Sequence, residues 1–524
     1  MSQSKKAAKS ILIMIIFGIG GKLLGFIREM LIAAKFGSGM ETDTFFIALT
    51  ATSLCTSLLT HSLSTTMIPV LSEIEEREGK EKKRVYTSNL LNLIILVSLA
   101  IVLLGWLFSP LIIKVVAHGF EGDQFDLAVT LMRIGLPVMF FAGIVGVYRG
   151  YLQSELMFLE YAAAPFPFNF TYIIFLIFLS GAFGIKGLMA TSVLAVGAQI
   201  LIQLPGIKKT KYQYHFFIDL KDQYIKKIIC LIVPVLLSVT VNDLNVIVDR
   251  SLASTLIEGS ISALNYSSRL NGFILAIFIT AIATVLFPLL SKEAAKESND
   301  NLKKIIKNGV NIILLITIPA TVGIIVLTQP IVRAAFERGA FDAFATQMTS
   351  TALFFYSLGL IGMALRIFME RVYYSLQDTK TPMFNGFLAV GLNIVLNFIL
   401  IRWLAHSGLA LATSIATTIT SVLLIYGLRR KIGSLKFSDF VRCGFKSLVS
   451  SLVMGLLVFL TYYPLESKVL GNTILELSLL LGVVSLGAVV YFIIIYLFKV
   501  EEIIWFINLL KGKLVSKQIL YKEK

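Results

Sequence analysis

The sequence predicts an all-α polytopic membrane protein with 14 transmembrane helices: two six-helix lobes that repeat one another in parallel, plus two added C-terminal helices. Three observations predict this. The 524 residues are 56% hydrophobic and only 15% charged, with a mean hydropathy of +0.84, whereas soluble domains carry roughly 25% charge. Apolar stretches long enough to cross a hydrocarbon core of about 30 Å recur from end to end. The loops between them alternate between rich and poor in Lys and Arg, as insertion topology requires.

The first span, 10–34, follows Lys5, Lys6 and Lys9. It is too long for a signal-peptide core and lacks a small-residue cleavage site close behind it. Spans two and three, 44–71 and 87–116, are joined by "SEIEEREGKEKKRVY" (72–86), which carries five basic residues. Spans four to six (126–152, 158–182, 184–206) complete an N-lobe, 1–207. Spans seven to twelve (224–255, 260–290, 304–328, 345–375, 382–402, 406–428) make a C-lobe, 208–431. The last two, 440–463 and 472–498, form a pair over 432–498 suited to a lipid tail. Residues 499–524 are a basic tail, in which "VEEIIWFINLLKGKLVSK" (500–517) has the spacing of an interfacial amphipathic helix. Loops 207–227, 291–307 and 429–436 are Lys-rich, while 36–43, 117–125, 256–259 and 464–471 are nearly bare. The rich loops are even-numbered and the bare ones odd-numbered, which places both termini in the cytoplasm of a plasma membrane.

The lobes repeat. "STTMIPVLSEIEEREGKEKK" (64–83) is similar to "IATVLFPLLSKEAAKESNDN" (282–301), "VYRGYLQS" (147–154) to "RVYYSLQD" (371–378), and "GLMATSV" (187–193) to "LALATSI" (409–415). All three offsets are about 220 residues. An even number of spans per repeat gives both lobes the same orientation, the arrangement of many secondary transporters with a substrate site between lobes.

Several function classes are excluded. Cys55, Cys230 and Cys443 have no metal or disulfide spacing, and the four histidines are scattered. No phosphate loop or HExxH motif is present, so neither ATP hydrolysis nor a metalloenzyme is expected, and no cofactor. The net charge of +16 lies mostly in membrane-flanking loops, so no nucleic-acid partner is implied.

Charges inside spans carry the functional signal, because each costs about 2.5–3.5 kcal/mol at mid-bilayer. In "GIGGKLLGFIREMLIAAKFG" (18–37), Lys22 and Glu29 are seven residues apart and share a helix face, flanked by Gly21 and Arg28. Gly21 and Gly25 allow close approach to the backbone. Glu29 has a pairing partner in Lys22 or Arg28, which leaves one cation over. Span seven holds "VNDLNVIVDRSLAST" with Asp243, Asp249 and Arg250, and span eight holds Arg269. Lys22, Arg28, Arg250 and Arg269, only partly balanced by acids, suit an anionic ligand, with Arg as the fork for phosphate oxygens. Asn393 and Asn397 share a face in "GLNIVLNFIL", and Thr413 follows in the next span. With Asp249 these oxygens could hold Na⁺, or Asp249 a proton; interhelical hydrogen bonding is the other use of the same groups.

"LLGFIREMLIAAKFGSGMETDTFFIA" (23–48), "EGSISALNYSSRL" (258–270), "FERGAFD" (336–342), "SLQDTKTP" (375–382) and "GLALATSIA" (408–416) resemble the MurJ (MviN) family of lipid II flippases, over almost the whole chain. The resemblance implies fourteen helices and transport of an undecaprenyl-diphosphate-linked peptidoglycan precursor to the outer leaflet by alternating access, driven by membrane potential or a cation gradient. It implies no enzymatic step. Lipid II, membrane lipids and cell-wall synthesis proteins are the implied partners. The family's substrate positions fall on Lys22, Arg28, Glu29 and Arg269, with Arg250 beside them; Gly21, Gly25, Asp43 and Ser262 are supporting. Its cation site falls on Asp249, Asn393, Asn397, Thr413 and a backbone oxygen near Leu409. Two departures stand out: Ser268 replaces the acid before Arg269, and "TSLLTHSLST" (56–65) lacks the arginines and glutamate of the family's second span. Those losses keep open a flippase for another polyprenyl-diphosphate glycan. A MATE-like organic-cation antiporter would want an acidic cavity, and a non-transporting cell-wall scaffold is the remaining alternative.

Overall fold

A computed structural model describes residues 3–296, 300–435, 437–469 and 471–500. Every regular element among the described residues is helical. The amphipathic segment expected over 500–517 lies outside them except for Val500.

The helices fall into two compact units. The first, Met1–Asn265 with Phe336–Ala345, contains α1 (Gln3–Phe36), α2 (Met40–Val116), α3 (Gly122–Gly135), α4 (Val138–Ser154), α5 (Phe158–Ala163), α6 (Pro165–Ile174), α7 (Ser180–Lys209), α8 (Gln223–Ala253) and the first turns of α9 (Ser260–Ile274). The second holds the rest of α9, α10 (Thr280–Ala294), α11 (Asp300–Val326), most of α12 (Thr328–Phe336), α13 (Ala343–Leu358) from Thr346 onward, α14 (Leu360–Ser375), α15 (Lys380–Ile432), α16 (Phe437–Val469) and α17 (Thr473–Leu497).

Three of the helical runs are two helices laid end to end. α2 is interrupted at Gly79 (φ 85, ψ 174), α7 at Gly184 (φ 53, ψ −152) and α15 at Ala405 (φ 48, ψ −130). Seven helices among the described residues are long and apolar enough to cross a membrane, eight if the pair Ala343–Leu358 and Leu360–Ser375, bent by 48°, counts as one span. Three of the seven run to 51, 52 and 53 residues. At 1.5 Å per residue that is about 80 Å, more than twice the about 30 Å of a hydrocarbon core, so each has length for two passages. The three breaks fall at the junctions between expected spans two and three, five and six, and eleven and twelve.

The repeat reappears in the backbone. Left-handed conformations occur at Gly37 and Gly259, Leu156 and Gln377, Gly184 and Ala405, and Lys211 and Gly433, each pair 221 or 222 residues apart. The turns after α4 and α14 share a hydrogen-bond pattern: Met157 N–H donates to Leu152 O at 2.9 Å, and Asp378 N–H to Tyr373 O at 3.0 Å. These bonds satisfy carbonyls that the helix end leaves open.

The two units do not divide at the repeat boundary near 208, because α8 packs along α2. Tyr224 stacks edge-on to Tyr86 with centroids 6.0 Å apart and donates to Glu78 at 2.6 Å. In the second unit, a core of Leu286, Ile313, Phe368, Tyr373 and Leu424 joins α10, α11, α14 and α15. The C-terminal pair attaches through Tyr491, whose hydroxyl donates to Leu315 O at 2.7 Å and lies 2.8 Å from Ser447 Oγ.

Candidate functional site

The site in the first unit grows from the glycines of α1. A Cβ on Gly21 would lie 2.8 Å from Pro165 Cβ, and one on Gly20 would lie 2.9 Å from the Phe166 ring. These glycines admit α6 rather than a ligand. Gly25 meets Asn169 at an ordinary 3.8 Å. Asn169 Nδ2 donates to Gly21 O at 3.3 Å and Pro165 O at 2.8 Å, so the two helices are stitched at their closest point. Pro165 opens α6 where its missing N–H costs nothing.

Arg28 lies against this pair. Its guanidinium carbon is 5.3 Å from the Phe168 ring centre and 5.0 Å from that of Tyr172, and Nη2 donates to Glu29 Oε1 at 2.6 Å. The Arg28 and Glu29 side chains are only 15% and 6% exposed. A buried charge is tolerable only when compensated, and here an acid and two ring faces do so. Of the partners open to Glu29, the structure brings Arg28. Lys22, two turns earlier, is exposed while Glu29 is buried.

Sequence reasoning passed over Arg149. It sits near the end of α4, with its guanidinium 5.0 Å from the Tyr161 ring centre on α5, which in turn packs on α1. Its Nε is buried without a hydrogen-bond partner, and no carboxylate pairs with it among the described residues. The signal is present in "VYRGYLQS", a basic residue in an apolar run that also carries the repeat.

A second cluster joins the start of α2, the end of α8 and the start of α9. Asp43 accepts from Gly259 N (2.8 Å), Ser262 N (2.7 Å) and Ser262 Oγ (2.5 Å). It therefore caps the α9 N-terminus from 219 residues away. Arg250, expected as a substrate-facing cation, donates to Ile261 O at 3.1 Å and Asn265 Oδ1 at 3.4 Å. Gly339 and Ala340 of "FERGAFD" dock on the end of α1, where Ala340 N–H donates to Ala34 O at 2.9 Å. A Cβ on Gly339 would meet that same oxygen at 2.2 Å. Arg269, in the second unit, is exposed.

The expected ion-binding groups of the second unit come together. Asn397 Nδ2 donates to Asn393 Oδ1 (2.9 Å), Asn393 Nδ2 to Thr413 Oγ1 (3.1 Å), and Thr413 Oγ1 to Leu409 O (3.1 Å). Amide, hydroxyl and carbonyl oxygens are the hard donors a small cation takes. Asp249 belongs to the first unit, where Asn245 Nδ2 lies 3.5 Å from its Oδ2. Among the described residues no group of three His, Cys, Asp or Glu side chains is placed to hold a metal ion.

The family model described as "Lipid II flippase MurJ" matches residues 32–483. A probable lipid II flippase MurJ of Vibrio cholerae serotype O1 is 31% identical over 442 residues, covering 81% of this chain and 83% of that protein. Another, from Rickettsia prowazekii, is 29% identical over 487 residues, covering 91% and 95%. A solved lipid II flippase MurJ in an inward closed conformation aligns with a TM-score of 0.79 at 28% identity, covering 93% of this chain and 98% of that one. An inward-facing MATE family multidrug transporter aligns at 0.69 with 13% identity over 79% and 95%, a likeness of fold alone.

Proposed function

The chain belongs to the lipid II flippase MurJ family, and from that premise we propose how its own residues move lipid II between membrane leaflets. The diphosphate is held at Arg28, whose guanidinium lies on Phe168 and Tyr172 with Glu29 as built-in counter-ion. An incoming diphosphate competes with Glu29 for the same fork, so binding exchanges one charge-assisted pair for another. Lys22 and Arg149 add positive charge to the same lobe. The polyprenyl tail stays in the surrounding lipid or in a groove formed between α16 and α17. Arg250 and Asp43 tie the start of α9 to α8 and α2.

The protein makes and breaks no bond; it works by alternating access in the bacterial plasma membrane, with both termini in the cytoplasm. Cation entry, with Na⁺ or H⁺, at Asp249 of the first unit or at Asn393, Asn397, Leu409 and Thr413 of the second, or the membrane potential itself, resets the cycle. One charge moved through 100 mV is worth about 2.3 kcal/mol, enough to bias such a step. The observation that carries the assignment is the family match over 32–483.

A second reading, a flippase for a different polyprenyl-diphosphate glycan, is favoured by "TSLLTHSLST", which has neither Arg nor Glu. The deciding experiment is lipid II translocation in bacteria depleted of their own flippase. The wild-type chain is expected to restore it. Correct insertion without restoration overturns lipid II as substrate.

A further inference from the structure

We propose that a basic cavity in the second unit binds the phosphate headgroup of an anionic glycerophospholipid. The cavity, about 190 Å³, opens where the start of α11, the first turns of α16 and the chain just after α17 meet, and is lined by Lys307, Asp439, Arg442, Lys446 and Lys499. Four cations converge there with one carboxylate. Asp439 is engaged by Lys307 at 2.7 Å, which leaves an excess of positive charge. Lys446 is held in place by donating from Nζ to Phe498 O at 2.9 Å. Like charges gathered around a concavity repel one another, and a multidentate oxyanion relieves that repulsion.

The surroundings select a lipid-borne phosphate over a free one. Continuing from the cavity, the outward sides of α16 and α17 are apolar: Phe445 is 66% exposed, Leu452 56%, Phe492 60% and Leu497 69%. A molecule with its phosphate among the four cations lays acyl chains on these faces. Turns bearing Arg429, Arg430 and Lys431 lie at the same end of this unit, since Gly433 is beside Lys303. Basic pockets at such helix ends recognise anionic headgroups.

The test is lipid retention by the purified full chain, counted by native mass spectrometry after exchange into detergent with phosphatidylglycerol or phosphatidylcholine of the same acyl chains. Wild type is expected to retain phosphatidylglycerol at least tenfold over phosphatidylcholine. R442Q/K499Q is expected to remove that preference, and R442K/K499R to keep it, which separates lost charge from lost fold. Equal retention of the two lipids by wild type, or an undiminished preference in R442Q/K499Q, overturns the proposal. So does displacement of phosphatidylglycerol by equimolar lipid II, which would assign the cavity to the substrate's diphosphate. Retention that emerges only after deletion of 501–524 overturns it too, by assigning the cavity to the chain's own Glu501 and Glu502.

Discussion

Arg28 and Glu29, adjacent in sequence, pair with each other at 2.6 Å within the first helix. The helix thereby carries its own counter-ion into the protein interior. Removing one partner of such a buried pair leaves an uncompensated charge, which costs about 3–5 kcal/mol. Glu29→Ala is therefore expected to lower thermal stability in detergent more than Arg28→Ala/Glu29→Ala does. Arg28→Ala should abolish most lipid II flipping, and Arg28→Lys should recover only part, because an ammonium lacks the planar fork that lies on Phe168 and Tyr172. Full activity in Arg28→Ala would remove Arg28 from the diphosphate site.

Arg149 allows stability and transport to be separated. A partly buried cation without an acid destabilises the fold, so Arg149→Met is expected to leave the melting temperature unchanged or raise it. The same variant should lower flipping several-fold if the charge serves the substrate. A parallel fall in both quantities would mark Arg149 as a packing residue.

Gly184 and Ala405 occupy equivalent breaks in the two repeats, at φ 53 and φ 48. Side chains in such sparsely populated regions cost roughly 1–3 kcal/mol, while glycine adds unfolded-state entropy of only about 0.4–1 kcal/mol. Strain outweighs entropy, so Ala405→Gly should stabilise and Gly184→Ala destabilise. Nothing lies within 4 Å of a Cβ at Gly184, so the loss there would be conformational and not a clash. Unfolding curves of the two variants should move in opposite directions.

How much of this was legible depended on range. The charges of α1 were conspicuous because Lys22, Arg28 and Glu29 interrupt an apolar run. The i,i+4 spacing of Asn393 and Asn397 announced a shared face, and the structure joins them by a hydrogen bond. What lies against Arg28 was not legible: Phe168 and Tyr172 are far away in sequence, and no local pattern links them to it. The break at Ala405 was legible as the gap between spans 382–402 and 406–428, but its positive φ was not, because alanine does not punctuate helices as glycine does at Gly184. The partition of the chain into units was hidden too, since it follows from α8 lying along α2, a long-range choice made by Tyr86 and Tyr224.

Asp378 sets a pH limit on the second unit. It lies in the turn before α15, outside the expected spans. Partial burial raises its pKa, but hydrogen bonds from Lys431 and Thr381, with the charge of Lys431, overcome this and hold it at about 2, below the ordinary 3.8. A carboxyl depressed in the folded state adds stability above its unfolded pKa and loses it as pH falls through the folded one. The contribution is thus whole above about pH 4 and gone below about pH 2. Asp378→Asn should lower the melting temperature at pH 7 and flatten its dependence between pH 4 and 2. An unchanged acid limb in that variant would assign the dependence to other carboxylates.

The cap that Asp43 supplies to α9 is the last point open to direct test. Three donors converge on one carboxylate, two of them backbone N–H groups of Gly259 and Ser262. Asp43→Ala leaves those N–H groups buried without an acceptor, a loss of about 1–3 kcal/mol for each donor not rescued by water. Ser262→Ala removes only the hydroxyl, and about 1.5–3 kcal/mol is the value of a single hydrogen bond to a charged group. Asp43→Ala should therefore be the more damaging, and Asp43→Asn intermediate, since its amide oxygen still accepts while its charge is gone. Because both residues act through one contact, the double variant should cost less than the sum of the singles. Strict additivity in thermal unfolding would show that Asp43 and Ser262 act through separate contacts.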